Sequence, residues 1–239
     1  CPTVVSRQGV VAVRAALEPR QPGRDTILFL QPGVPATVTQ AHIIGRGIEE
    51  FDIYQYRGKA MEAKLEEYLS KGNVTAISYS NPNNPAWTNL TDEELEIIGR
   101  LATKYDVVVL EDLAYLGMDF RTDFSHPFEA PYIPTVSKYT DNYIMMLSGS
   151  KIFSYAGQRI AVVAMSPAVA TRQYEGMKQF FGLPRFCDAF VFGVLYALSS
   201  GTAHSAHHAP AAMMTAALEG PPPPDGTRPP RSAVTQLPP

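Results

Sequence analysis

Short apolar runs alternate with stretches of helical period along most of the chain. Residues 27–30, 74–79, 107–110, 143–147 and 160–165 are almost continuously hydrophobic. Runs this short and even predict strands covered on both faces, since a strand wetted on one side alternates. Residues 51–56 do alternate, and predict one more strand. Helical patterns fall between these runs. Residues 61–70 repeat apolar side chains at Met61, Leu65 and Leu69, and Gly72 is placed to end that helix. Thr91-Asp-Glu-Glu94 has the form of a capping box. The Thr91 hydroxyl can accept from a backbone N–H of the first turn while the Glu94 carboxylate reaches back. The helix it opens sets Leu95, Ile98, Leu101 and Tyr105 along one side before Asp106 leads into the next strand. Residues 10–17 predict a further helix. The longest apolar run, residues 189–198, is half of what a bilayer requires and predicts a buried helix.

A strand, a helix and a second strand in series imply parallel neighbours joined by a right-handed crossover. Several such units make a doubly wound α/β fold, a mostly parallel sheet flanked by helices. In that architecture ligands sit beyond the carboxyl ends of the strands, so the informative residues should follow each apolar run directly.

Composition narrows the function classes. The 239 residues are 45% hydrophobic and 18% charged, with a formal charge of −3, which leaves no basic footprint for nucleic acid and no membrane span. Cys1 and Cys187 stand far apart and form no disulfide framework, which suits a reducing, cytoplasmic setting. The sequons at Asn73 and Asn89 are expected to be unmodified on the same ground. His204, His207 and His208 have helical spacing, but Pro210 interrupts them and no Cys or carboxylate accompanies them, so no metal is expected. From Glu219 onward prolines crowd the chain and apolar periodicity is lost. Residues 219–239 are therefore expected to be a disordered tail on a domain spanning 1–218.

The strand ends carry the chemistry. After residues 74–79 comes Ser80-Asn-Pro-Asn-Asn84-Pro85, after 107–110 comes Glu111-Asp112-Leu-Ala-Tyr115, and after 143–147 comes Ser148-Gly-Ser150-Lys151, followed by Gly157-Gln-Arg159. Each has an ordinary structural explanation alone. Asn-Pro repeats mark turns, an acidic pair can cap a helix, and a single lysine is usually a solvated charge. Amide, carboxylate, phenol, amine and guanidinium in this order, each at a strand end, make a set that chance seldom assembles.

With Asn81-Pro-Asn-Asn-Pro85, Asp112-Leu-Ala-Tyr115, Ser148-Gly-Ser-Lys151 and Gly157-Gln-Arg159, the chain resembles the class I/II aminotransferases of pyridoxal-phosphate (PLP) fold-type I, from about Pro2 to at least Leu198. The resemblance implies pyridoxal 5′-phosphate as cofactor and an amino acid and a 2-keto acid as substrates. Lys151 would form the Schiff base and shuttle the Cα proton. Asp112 would keep the pyridine nitrogen protonated, and Tyr115 and Asn84 would bond the phenolic oxygen. Ser148 and Arg159 would bind the phosphate with backbone N–H groups of Ser6 and Arg7, and Ser150 is a further cofactor-binding residue. A PLP-dependent carbon–sulfur lyase, or a non-catalytic PLP-binding remnant, is the alternative, because the same cofactor site serves each.

The chain departs from the family pattern at several points. Val5 stands where Gly is common, Val34 where an aromatic ring stacks on the cofactor, and Ala86-Trp87 where many members have Thr-Gly. The family's N-terminal segment and its carboxylate-anchoring small domain are expected to be missing. The chain then reads as a fragment of the major domain, truncated at both ends. The family is homodimeric, and loss of the N-terminal segment predicts weaker pairing.

Overall fold

The apolar runs become strands β2 (Thr26–Gln31), β4 (Val74–Ser80), β5 (Val108–Leu113), β6 (Tyr143–Ser148) and β7 (Ala161–Met165). A computed structural model of the chain describes residues 2–3, 22–123, 130–154, 156–158 and 161–171. Two further strands among the described residues belong to the sheet, β1 (Pro2–Thr3) and β3 (Gly47–Asp52). The order is β1-β7-β6-β5-β4-β2-β3. Strands β3, β2, β4, β5 and β6 run parallel, while β7 and β1 are antiparallel to their neighbours. The doubly wound, mostly parallel α/β expectation is therefore met.

One expectation is corrected. Residues 51–56 do not form a strand: β3 ends at Asp52, and a 3-10 turn occupies Ile53–Gln55. Asp52 caps that turn by accepting from Tyr54 N at 2.9 Å. Phe51 and Ile53 are both buried, so the alternation was a true record of burial but not of extended backbone.

Helices cover the sheet on opposite faces. On one, α2 (Ala60–Leu69) buries Met61, Leu65 and Leu69, and α3 (Asp92–Lys104) buries Leu95, Ile98 and Leu101. They pack on Leu28, Leu30, Ile77 and Val109. On the other face Ile27, Phe29, Ala76, Leu110, Ile144 and Met146 meet Ala41 of α1 (Pro35–Ile43) and Val169. Strand residues of adjacent number thus serve opposite cores, as the period of two requires. No helix among the described residues is long and apolar enough to cross a membrane.

The capping box forms as expected: Glu94 N donates to Thr91 Oγ1 at 3.2 Å and Thr91 N to Glu94 Oε2 at 2.9 Å. The same carboxylate accepts from Arg57 Nε at 2.6 Å and Gly58 N at 2.7 Å, which fastens the segment before α2 to the start of α3. Burial opposes ionisation of Glu94, yet Arg57 and these N–H donors hold its carboxyl below the ordinary value. Gly99 permits a second close seat. A Cβ there would lie 2.6 Å from Tyr139 Cβ and 3.1 Å from its carbonyl carbon.

Strand order reverses beside β2. The chain goes from β2 outward to β3, then returns across β2 to β4 and continues through β5 to β6. A crevice at the carboxyl ends of β2 and β4 is the topological consequence.

Candidate active site

The loop leaving β4 is organised by Asn83, a residue the motif reading did not single out. It is 3% exposed. Its Nδ2 donates to Pro32 O at 2.8 Å, its Oδ1 accepts from Ala86 N at 3.1 Å, and its own N–H donates to Thr88 O at 2.8 Å. The first of these bonds ties the loop after β2 to the loop after β4, across the strand reversal. Asn81 adds a second anchor, with N donating to Asp112 O at 3.0 Å and Oδ1 accepting from Leu90 N at 3.1 Å. Held this way, Asn84 presents its amide to the next strand end. Asn84 Nδ2 donates to Tyr115 Oη at 3.2 Å.

At the end of β5 two neighbouring carboxyl groups face opposite ways. Glu111 shares parity with Val109 and is fully buried on the α3 side. It accepts from Tyr79 Oη at 3.2 Å and Val136 N at 3.1 Å. Burial pushes its carboxyl up to about 7 against the pull of Val136 N, Tyr79 and Asn81. Tyr79 is driven well above the usual phenol range by its own burial, with the Glu111 charge adding to the effect. Asp112 shares parity with Leu110 and lies on the α1 side. It is partly buried, with Oδ1 accepting from Ala114 N at 3.0 Å.

Asp112 also lines a small cavity at the strand reversal, together with Gln31, Val34, Thr37, Ser78 and Ser80. Val34, expected against a cofactor ring, is thus brought to the same cavity as Asp112. In register, Ser80 pairs with Asp112 and Asp112 with Met146. Ser148, two residues beyond Met146, therefore shares that face one strand along.

Ser148 ends β6 and precedes the single turn α4 (Gly149–Ile152) that carries Lys151. Its Oγ accepts from Ser150 N at 3.2 Å, which leaves the hydroxyl hydrogen for another acceptor. Lys151 is exposed at the carboxyl end of the sheet. Of the sequence-derived site residues, Asn84, Asp112, Tyr115, Ser148, Ser150 and Lys151 thus lie in or just beyond the carboxyl ends of three adjacent parallel strands. Ser6, Arg7 and Arg159 lie outside the described residues, as do Val5, the three histidines, residues 10–17 and 189–198, and the proline-rich tail.

Comparison with known proteins agrees with this fold. The family model for aminotransferase class I and II matches residues 2–205. The chain is 29% identical over 114 residues to nicotianamine aminotransferase 1 of Oryza sativa subsp. japonica, covering 48% of this chain and 22% of that protein. It is 27% identical over 138 residues to the glutamate-pyruvate aminotransferase AlaC of Escherichia coli, covering 57% and 32%. Among solved structures, aspartate aminotransferase from Thermus thermophilus with maleate superposes with a TM-score of 0.63 at 17% identity, covering 91% of this chain and 52% of that one. Cystalysin from Treponema denticola, whose structure contains a pyridoxal 5′-phosphate cofactor, gives 0.59 at 19% identity, covering 77% and 46%. The chain spans under a third of those sequence relatives and about half of the structural ones. The family match over most of its length places the chain in the class I and II aminotransferases, a family whose cofactor is pyridoxal 5′-phosphate.

Proposed function

We propose that this chain carries the cofactor site of an enzyme that moves an amino group between an amino acid and a 2-keto acid. The observation that carries the reading is the placement of Lys151, Asp112 and the bonded Asn84–Tyr115 pair at the carboxyl ends of three adjacent parallel strands. That donor set fits pyridoxal phosphate. It offers a primary amine for an aldehyde, a carboxylate for a protonated ring nitrogen, and an amide and a phenol for an anionic ring oxygen. When bound, the cofactor supplies an aldehyde and an electron-accepting ring.

Each side chain then has a task of its own. Lys151 Nζ is the primary amine that would hold the cofactor, and as a free amine it would take and return the proton at the substrate Cα. Asp112, fixed by Ala114 N, would keep a proton on the ring nitrogen by charge. Tyr115 already accepts from Asn84, so its own O–H is available to donate. The second hydrogen of the Asn84 amide can do the same. Ser148 would contribute its hydroxyl to the phosphate. Arg159, with its two-pronged guanidinium, and the backbone of Ser6 and Arg7 would complete that contact. On this reading residues 1–218 belong to the cofactor-binding major domain.

The test is an assay of the purified chain with pyridoxal phosphate, an amino acid and a 2-keto acid. Exchange of the amino group above the rate with free cofactor, lost in Lys151→Ala, supports the reading. Release of pyruvate and ammonia from a cysteine conjugate, with no exchange, would replace it with the lyase.

A further inference from the structure

We propose that Trp87 is a positioning residue for this site: it sets the ring of Tyr115 and, through it, the amide of Asn84. The inference rests on reading Asn84 and Tyr115 as cofactor ligands.

Trp87 has φ of 55°, in the left-handed region that a bulky residue rarely enters. The loop holds it there. Trp87 N donates to Asn83 O at 2.9 Å, and the next residue, Thr88, accepts from Asn83 N at 2.8 Å. The Thr88 hydroxyl is bonded to Tyr54 Oη. A glycine would adopt this backbone without strain, so the turn alone gives no reason for an indole. Nor does burial, since Trp87 is 51% exposed. What the ring does contact is Tyr115: the two meet edge to face, with centroids 5.5 Å apart and planes at 80°. The Tyr115 hydroxyl in turn accepts from Asn84 Nδ2 at 3.2 Å.

These contacts close a loop. Asn84 and Trp87 leave the same turn, one bonded to the hydroxyl of Tyr115 and the other packed on its ring. A phenol held at both ends has one direction in which to present its O–H. With Trp87 removed, the ring pivots about its Cβ and the Asn84 amide loses a fixed partner. The indole therefore pre-organises two donors before any ligand arrives, which lowers the ordering cost of binding.

The experiment uses the full chain without cofactor, labelled for nuclear magnetic resonance at tyrosine rings and asparagine amides. Tyr115→Phe and Asn84→Ala assign the two signals by their disappearance. Trp87→Gly, which relieves the backbone strain and so should fold, is expected to move both the Tyr115 ring signal and the Asn84 amide pair. Trp87→Phe, which keeps a ring on the same Cβ, is expected to hold them near the parent positions. In a Tyr115→Phe background Trp87→Gly should leave the Asn84 pair unmoved, because the route runs through Tyr115. An Asn84 pair that stays in place in Trp87→Gly overturns the proposal, as does one that moves equally without the Tyr115 hydroxyl. A second arm titrates pyridoxal phosphate, with an expected loss of affinity of about 2- to 10-fold in Trp87→Gly, the range one edge-to-face contact supports. A parent chain that takes up no cofactor would remove the functional reading but leave the resonance result to decide this one.

Discussion

Glu111 and Asp112 are neighbours whose environments set them to different work. The fully buried Glu111 holds its proton more tightly folded than unfolded, so unfolding releases a proton at pH values between 4.5 and about 7. Its contribution to stability therefore falls as pH rises through that window, by up to roughly 3 kcal/mol, and the full penalty stands above it. Glu111→Gln lacks this titration. Urea unfolding from pH 4.5 to 8 should show the parent losing stability relative to the variant across the window, and parallel curves would contradict the assignment. Asn83 is the second residue whose weight is structural. Asn83→Ala removes two part-buried side-chain bonds, to Pro32 O and from Ala86 N, and leaves their partners without it. A loss of about 2 kcal/mol in the unfolding free energy is expected, together with weaker pyridoxal phosphate binding. Unchanged stability and binding would show that the two loops hold their places without it.

Among the elements, α3 gives the clearest tests. Thr91→Ala breaks half of a capping box seen in full here, and should cost about 1 kcal/mol by urea unfolding. Gly99→Ala raises helix propensity yet drives a methyl into Tyr139, so it should destabilise by about 1–3 kcal/mol instead of stabilising. A gain would mean that the turn at Val136–Lys138 gives way freely. The capping box was legible in the sequence because both partners lie within four residues. The contact at Gly99 was not, because Tyr139 is forty positions away. The central strands were legible for a related reason: buried on both faces, they leave a nearly continuous apolar run. Strand β3, at the sheet edge, puts partly exposed Glu49 and exposed Glu50 in its middle and shows no such run. Helix α1 buries only Ala41 and so lacks an apolar stripe to read.

For the molecule as a whole, the strand-end motifs could be read because the fold sends every parallel strand's carboxyl end to one edge. Asn83 escaped notice because its role lies in joining two loops across the strand reversal, and no spacing records that. Cofactor binding to this assembled edge should stabilise the entire fold. At pyridoxal phosphate 100-fold above its dissociation constant the gain is about 2.7 kcal/mol, visible as a raised unfolding midpoint and smaller in Asp112→Ala. The most direct measurement is of the bond itself. The chain is incubated with pyridoxal phosphate, reduced with borohydride, digested and mapped by mass spectrometry. A phosphopyridoxyl group is expected on the peptide containing Lys151, and none retained by Lys151→Ala. Label spread over many lysines, or captured equally by Lys151→Ala, would contradict it.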